Sequence, residues 1–189
     1  IDMPIDDGYV GMVDRDVFDE WLRVRAVRNG AERRTGTFLR IDRDGAGQAV
    51  VVYHPKGAGE GVEQRIAARL VIGADGANSA VGRQAVPGAD RVPFVFAYHE
   101  IVRAPKPGAA DYDPARCDVY YQGRVSPDFY GWVFPHGPAL SIGVGSAIKG
   151  FSLKGAVSDM RRRTGLDGCE TIRREGAPIP WKPLKRWDN

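Results

Sequence analysis

The sequence has few of the features that would place it outside ordinary globular proteins. It contains only two cysteines, Cys117 and Cys169, in 189 residues, and neither has a His or Cys neighbour at metal-ligand spacing. Neither a disulfide framework nor a zinc site is therefore predicted. No apolar run reaches the roughly 18 residues that a membrane-spanning helix requires, and the opening residues lack a signal-peptide pattern. We therefore predict a reducing, cytoplasmic setting and no metal.

An excess of one charge is also absent. The 27 basic residues are interleaved with 24 acidic ones, for a net charge of +3. This balance does not predict a nucleic-acid partner, although it suits anionic ligands such as phosphates. The one basic cluster, Arg161 to Arg163, falls in a predicted helix and is expected to be a solvated face.

The first half of the chain has an α/β pattern. Asp14 precedes apolar residues at helical spacing, and Gly30 is placed to end that helix. Two β-rich runs flank the turn at 44–47 and predict a hairpin. A buried strand is predicted over about 68–73, because its Leu-Val-Ile core is apolar on both sides.

The second half changes character after Pro87. Four β-branched and aromatic segments, separated by Pro, Gly and Asp, predict an antiparallel sheet; they read PFVFAYHEIVRAP, CDVYYQGRV, FYGWVFPHG and ALSIGVGSAI. A helix of about three turns follows and ends at Gly165. The proline-containing tail is predicted to be extended or turning. The fold class is therefore α/β (α+β), with an α/β part over 1–90 and a sheet-dominated part over 91–189.

A small-residue corner lies in the stretch RLVIGADGANSAVGR, residues 69–83. Gly73 and Gly76 allow backbone conformations that side chains forbid and permit close approach of a ligand. Asn78 and Ser79 are placed to cap a following helix, whose free N–H groups would be a seat for a phosphate or pyrophosphate.

The acid in this corner, Asp75, has two interpretations. It can accept hydrogen bonds from a ribose or ribityl chain, or it can anchor the loop through its carboxylate. Arg83 can reach a phosphate or pair with Asp75. The alternative is an ordinary strand-to-helix turn in which Asp75 is only a helix cap.

An alternating aromatic string marks the second half. Tyr130, Trp132 and Phe134 would point to one face of a strand and form an apolar wall, with Pro135 following at the turn. Such a wall suits a long apolar ligand, but the same rings would also serve simply to pack a sheet core. His136, just beyond, is more simply a structural or exposed residue.

These motifs together resemble a known family. The string GADGANSAVGR resembles the second FAD fingerprint, the DG motif, of the p-hydroxybenzoate-hydroxylase-like oxidoreductases. Three longer strings, MVDRDVFDEWLRVRA, DYDPARCDVYYQGRVSPDFYGWVFPHG and IRREGAPIPWKPLKRWDN, are similar to the geranylgeranyl reductases of chlorophyll and bacteriochlorophyll synthesis. The resemblance implies a partial FAD/NAD(P)-binding domain with the hairpin and DG motif over 1–90. It also implies an antiparallel-sheet substrate-binding domain over 91–189, which includes the start of the return to the FAD domain.

The resemblance assigns roles to single residues. FAD and NADPH are the implied cofactors. Asp75 would contact the FAD pyrophosphate region, in part indirectly, and Arg15 would face the flavin. The implied cofactor-binding set is Arg15, Gly73, Asp75, Gly76, Asn78, Ser79 and Arg83. The Tyr-x-Trp-x-Phe-Pro motif would line the isoprenoid cavity through Tyr130, Trp132, Phe134 and Pro135.

Two elements of the family pattern are not in the sequence. A G-x-G-x-x-G dinucleotide fingerprint does not precede Asp14, and a third, Gly-Asp motif is expected only after Asn189. We therefore expect this chain to be an internal part of an enzyme. By itself it should hold FAD weakly and be inactive.

The implied reaction is hydrogenation of the C=C bonds of a geranylgeranyl group to the phytyl form, with electrons from NADPH. Its substrate is a prenylated small molecule, which makes peripheral contact with the photosynthetic membrane an expectation. The proton donor is left open among Tyr98, His99, Tyr120 and Tyr121. The alternatives are a same-fold FAD monooxygenase, a reductase of geranylgeranyl glycerophospholipids, and a non-catalytic module that binds prenyl chains.

Overall fold

Two antiparallel sheets organise the chain. The computed structural model describes residues 1–106, 108, 111–186 and 188. The helices within this part are α1 (Arg15–Arg28), α2 (Ala80–Ala85) and α3 (Leu153–Arg163), with a 3₁₀ turn at Ala89–Arg91. The strands are β1 (Gly36–Arg43), β2 (Ala49–Pro55), β3 (Gln64–Ala68), β4 (Phe94–Arg103), β5 (Asp118–Tyr120), β6 (Gly131–His136), β7 (Ala139–Ser146) and β8 (Thr171–Pro180).

The smaller sheet has the order β1-β2-β3. The predicted hairpin is confirmed, since β1 and β2 are antiparallel and the Asp44 carboxylate accepts from the turn amides of Ala46 and Gln48. Helix α2 attaches to the open edge of β1 through Gln84, whose amide exchanges two hydrogen bonds with the backbone of Ile41 at 2.8 and 2.9 Å. The segment before α2 is thereby fixed beside this sheet.

The larger sheet has the order β5-β6-β7-β4-β8, and every neighbouring pair is antiparallel. The four predicted β segments are all present, and the proline-containing tail adds β8 beside β4. Helix α3 packs on one face and closes the core, whose fully buried members include Val102, Leu140, Ile142, Val144 and Val157.

Helix α3 begins and ends where the sequence predicts, but its basic cluster is not fully exposed to solvent. Ser152 caps it by accepting from the amide of Gly155 at 3.1 Å, and Gly165 follows its end with φ +69°. The expectation that the basic cluster is solvated is wrong for Arg161, which is 9% exposed. It forms an ion pair with the buried Glu100 at 2.5 Å, so a charge inside the protein, rather than solvent, sets its position.

The strand predicted over 68–73 is also wrong. Strand β3 ends at Ala68, and the residues that follow are irregular, with Leu70 76% and Ile72 79% exposed. A strand requires a neighbour to pair with, and within the described residues none lies beside 69–73. Apolar sequence alone therefore does not make a strand here.

Helix α1 is formed as predicted but has no buried residue. Its apolar side chains Phe18, Trp21 and Leu22 are 37%, 51% and 42% exposed. No helix in the described part of the chain is long and apolar enough to cross a membrane.

Candidate functional site

The DG corner is organised around the carboxylate of Asp75. The hydroxyl of Ser79 donates to one oxygen, and the backbone amides of Ala80 and Val81 donate to the other at 2.7 and 3.2 Å. Ser79 in turn accepts from the amide of Gly82 at 2.7 Å. Asp75 and Ser79 together cap helix α2.

These bonds correct one expectation. The first N–H groups of α2 were expected to be free for a phosphate, but those of Ala80, Val81 and Gly82 are taken by Asp75 and Ser79. Helix α2 also has only six residues. The corner is therefore a loop anchored by its own acid, and its interaction with a phosphate has to come from other groups.

Asp75 keeps its negative charge in this setting. Burial by itself would raise the pKa of Asp75, but hydrogen bonds from Ser79, Val81 and Ala80 outweigh it and hold the pKa below the ordinary value. The cap is therefore intact at neutral pH, and it weakens only when acid protonates the carboxylate.

The outer side of the corner is open, and small residues line it. Gly76 has φ +81°, and a Cβ placed on it would meet nothing within 4 Å, whereas a Cβ on Gly73 would lie 2.9 Å from Val81. Asn78 and Arg83 are exposed, and within the described residues Arg83 forms no ion pair, including with Asp75. The corner thus fits a large anionic group such as FAD, approached by backbone and by a free guanidinium.

Within the described residues, no hydrogen bond or ion pair joins Arg15 to the DG corner. It is the first residue of α1, its side chain is 77% exposed, and it pairs with Asp19 at 2.9 Å. The hydrogen bond and charge of Asp19 raise the pKa of Arg15, which stays a cation.

The aromatic string forms one continuous wall, as the alternation predicted. Trp132 lies at its centre, with the ring of Tyr130 at 6.0 Å and that of Phe134 at 6.2 Å. Phe129 extends the wall by stacking on Tyr130 at 4.2 Å. We call these four rings the aromatic wall; it lies on the face of the larger sheet opposite α3.

Two glycines that sequence reasoning missed make this wall possible. A Cβ on Gly143 would lie 2.5 Å from Cε2 of Trp132, and a Cβ on Gly145 would lie 2.5 Å from Cδ1 of Phe129. Both rings therefore lie flat on the backbone of β7. The signal in the sequence is the G-V-G spacing in that strand, which places both glycines on one face.

Pro135 does not join the wall. It is buried and pairs with Leu140, a residue of the core beneath α3, so it belongs to the opposite face. With His136 and Asp14 it lines a cavity of about 460 Å³ between the end of β6 and the segment before α1. His136 Nδ1 lies 3.8 Å from the carboxylate of Asp14 there.

The four candidate proton donors lie on two different faces of the larger sheet. Tyr98 donates to Glu100 at 2.8 Å and Tyr120 packs against the core, so both lie on the α3 side; burial is the main cause that raises the pKa of each. His99 and Tyr121 contact the aromatic wall, with rings 6.2 Å from Trp132 and 5.4 Å from Tyr130.

Residues 5–95 match the model of the FAD-binding domain family. The chain is 59% identical over its whole length to a geranylgeranyl diphosphate reductase of Rhodobacter capsulatus, of which it covers 47%. It is 36% identical over 74% of its length to digeranylgeranylglycerophospholipid reductase 1 of Methanopyrus kandleri, of which it covers 35%. The chain therefore spans between about a third and a half of these relatives.

A solved structure agrees with these relatives. The fold matches a geranylgeranyl bacteriochlorophyll reductase-like protein from Thermoplasma acidophilum with a TM-score of 0.74 and 25% identity, over 88% of this chain and 42% of that one. Together with the FAD-binding match, the mixed α/β structure with antiparallel sheets has the p-hydroxybenzoate-hydroxylase-like fold.

Proposed function

The chain belongs to the geranylgeranyl reductase family, and we propose that its whole protein is a flavin-dependent reductase that hydrogenates the C=C bonds of a geranylgeranyl group. We further propose NADPH as the source of electrons and a (bacterio)chlorophyll-type geranylgeranyl ester or geranylgeranyl diphosphate as the substrate.

The aromatic wall is the observation that carries this proposal. An isoprenoid chain offers surface but almost no hydrogen-bonding groups, so its site has to be built from carbon. The wall supplies four contiguous rings on one sheet face, and two glycines let Trp132 and Phe129 lie flat on the sheet. A hydroxylase of phenolic substrates would instead need polar groups directed at its substrate, whereas those on this face, Ser141, His99 and Glu175, contact one another or Trp132.

The DG corner would position FAD. The exposed backbone at Gly73, Gly76 and Asn78 and the guanidinium of Arg83 would approach the group, while Asp75 keeps the corner in shape. When bound, FAD supplies the hydride chemistry. The chain's own residues orient the alkene against the wall and exclude water from it. We propose that the two parts of the chain have the roles expected from the sequence analysis: residues 1–90 bind the cofactor and residues 91–189 bind the substrate.

Turnover by the whole protein tests the proposal. With NADPH and a geranylgeranylated substrate, each reduced bond should add two hydrogens to the product, as measured by mass spectrometry. A product that has gained an oxygen atom would identify a monooxygenase instead. A prenylated substrate that binds but is not converted would identify a prenyl-binding module. Parallel assays of the diphosphate, the pigment ester and a geranylgeranyl glycerophospholipid would identify the substrate. Sedimentation with vesicles would test a peripheral membrane location.

Asp75→Ala should weaken retention of FAD by about tenfold or more, because it removes the cap that shapes the corner. Flavin absorbance after dialysis of the whole protein measures this. Asp90→Ala is the matched control, since Asp90 is exposed and, in the described part of the chain, its one ion pair is with Arg91 at 3.6 Å. Equal flavin content in all three proteins would contradict the assignment of Asp75.

Trp132→Ala should lower use of the prenylated substrate by about tenfold to a hundredfold, because the wall loses its central ring. Flavin reduction by NADPH should change little, since the wall does not serve that step. Stopped-flow absorbance resolves the two half-reactions. Trp181→Ala, which truncates a 51% exposed ring, is the control. Equal loss in both half-reactions would refute the role of the wall.

A further inference from the structure

Two hydrogen bonds and one ionic contact form a chain beside the aromatic wall, on the same face of the sheet. The indole Nε1–H of Trp132 donates to Ser141 Oγ at 3.0 Å, and that oxygen lies 2.8 Å from Nδ1 of His99. His99 Nε2 lies 3.0 Å from the carboxylate of Glu175. These residues come from β6, β7, β4 and β8, so the chain crosses four of the five strands.

The direction of each bond follows from the groups involved. The indole N–H can only donate, so Ser141 Oγ is its acceptor. Nδ1 of His99 accepts the Ser141 hydroxyl when the ring proton is on Nε2, the nitrogen that lies nearest the Glu175 carboxylate. Every donor then has an acceptor, which matters because Ser141 is 6% and Trp132 9% exposed.

The arrangement turns the one polar atom of the indole toward the sheet. Without Ser141, the N–H of Trp132 would be buried without a partner, and the ring would gain by turning that edge outward. Because Tyr130 and Phe134 lean on the indole from either side, its orientation also sets theirs. The orientation of this largely apolar wall thus depends on polar residues on the same face of the sheet.

We infer that Ser141, His99 and Glu175 form a clamp that fixes the indole of Trp132 and so determines the preference of the wall for an apolar chain. They are positioning residues, acting through Trp132, and their role in substrate preference rests on the proposed function. Glu175 is itself held by Arg173 at 2.9 Å, which ties the clamp to the exposed edge strand β8.

The NMR resonance of the Trp132 indole N–H, measured in the whole protein labelled with nitrogen-15 at tryptophan and without substrate, reports directly on the clamp. The Trp132 indole resonance is the one lost in Trp132→Phe. In Ser141→Ala it should move upfield and its proton should exchange faster with solvent; His99→Phe should give the same changes to a smaller extent. Glu175→Gln should retain the wild-type resonance, because an amide of the same shape keeps an oxygen beside Nε2. An unmoved resonance in Ser141→Ala would overturn the clamp.

Kinetics test its consequence. Ser141→Ala should raise KM for the prenylated substrate on the order of tenfold and leave flavin reduction unchanged. The effect of Ser141→Ala should disappear in a Trp132→Phe background, where there is no N–H to hold; persistence there would overturn the inference. Ser158→Ala, on the exposed side of α3, is the matched control. If the wild type does not reduce prenyl chains but the resonance responds as expected, the proposed function fails and the clamp stands.

Discussion

Replacing Arg161 with Met should lower the free energy of unfolding by roughly 3 kcal/mol, because the buried Glu100 loses its buried cation and retains only the 58% exposed Arg174, whose Nε lies 3.3 Å away. Glu100 and Arg161 have side chains only 9% and 11% exposed, and they meet at 2.5 Å. The guanidinium also donates to Thr171 and to the carbonyls of Leu166, Asp167 and Cys169, so it fastens the turn after α3 to the sheet. Urea unfolding of the wild type and variant measures the change.

The effect should depend on pH in a defined direction. Burial would raise the pKa of Glu100, but hydrogen bonds from Tyr98 and Arg161 and the charge of Arg161 hold it below its ordinary value. Ionised Glu100 therefore contributes stability above the pKa that this acid has in the unfolded chain, and the contribution disappears as pH falls through the folded-state pKa. The gap between wild type and Arg161→Met should be largest at neutral pH and shrink in acid.

Arg162→Met is the matched control for that experiment. Its guanidinium is 63% exposed and pairs with Asp159 at the surface, a type of contact worth about 0–1 kcal/mol. A loss for Arg161→Met no larger than for Arg162→Met would show that the buried pair is unimportant to stability.

Gly143→Ala should reduce kcat/KM for the prenylated substrate on the order of a hundredfold. The new methyl group would lie 2.5 Å from Cε2 of Trp132 and 2.6 Å from Cβ of His99, so the indole has to move. A displacement of about 1 Å in a positioning surface costs roughly that factor. Overpacking should also lower the free energy of unfolding by about 1–3 kcal/mol. Single-turnover kinetics and urea unfolding measure the two effects.

Gly45→Ala separates this steric effect from the general consequence of replacing a glycine. Gly45 lies in the hairpin turn, and a Cβ placed there would meet nothing within 4 Å. We expect this variant to behave like the wild type in both measurements. If Gly143→Ala also matched the wild type, the close packing of Trp132 on β7 would have no part in substrate use.

Local patterns sufficed to predict most elements of the fold. Helix α3, the hairpin of β1 and β2 and the strands of the larger sheet follow from spacing, capping residues and turn chemistry, all of which act over a few neighbouring residues. The strand prediction for residues 69–73 was wrong because a strand depends on a pairing partner, which the local sequence does not reveal. The predicted exposure of Arg161 was wrong because its partner, Glu100, is 61 residues away in the sequence.

The candidate site divides in the same way. The one-sided display of Tyr130, Trp132 and Phe134 follows from alternation within a single strand. Pro135 falls on the other face by the same rule, although the motif placed it with the rings. The clamp of Ser141, His99 and Glu175 was not foreseeable from sequence, because it depends on the register of four strands at once.

The position of β8 also bears on how the protein is made. This strand occupies the edge beside β4, yet about 70 residues of chain separate the two partners. While the nascent polypeptide leaves the ribosome, β4 has an unpaired side until residues 171–180 have emerged. Open strand edges invite pairing with other chains. Protection by chaperones should therefore matter most over the interval of translation between Arg103 and Pro180.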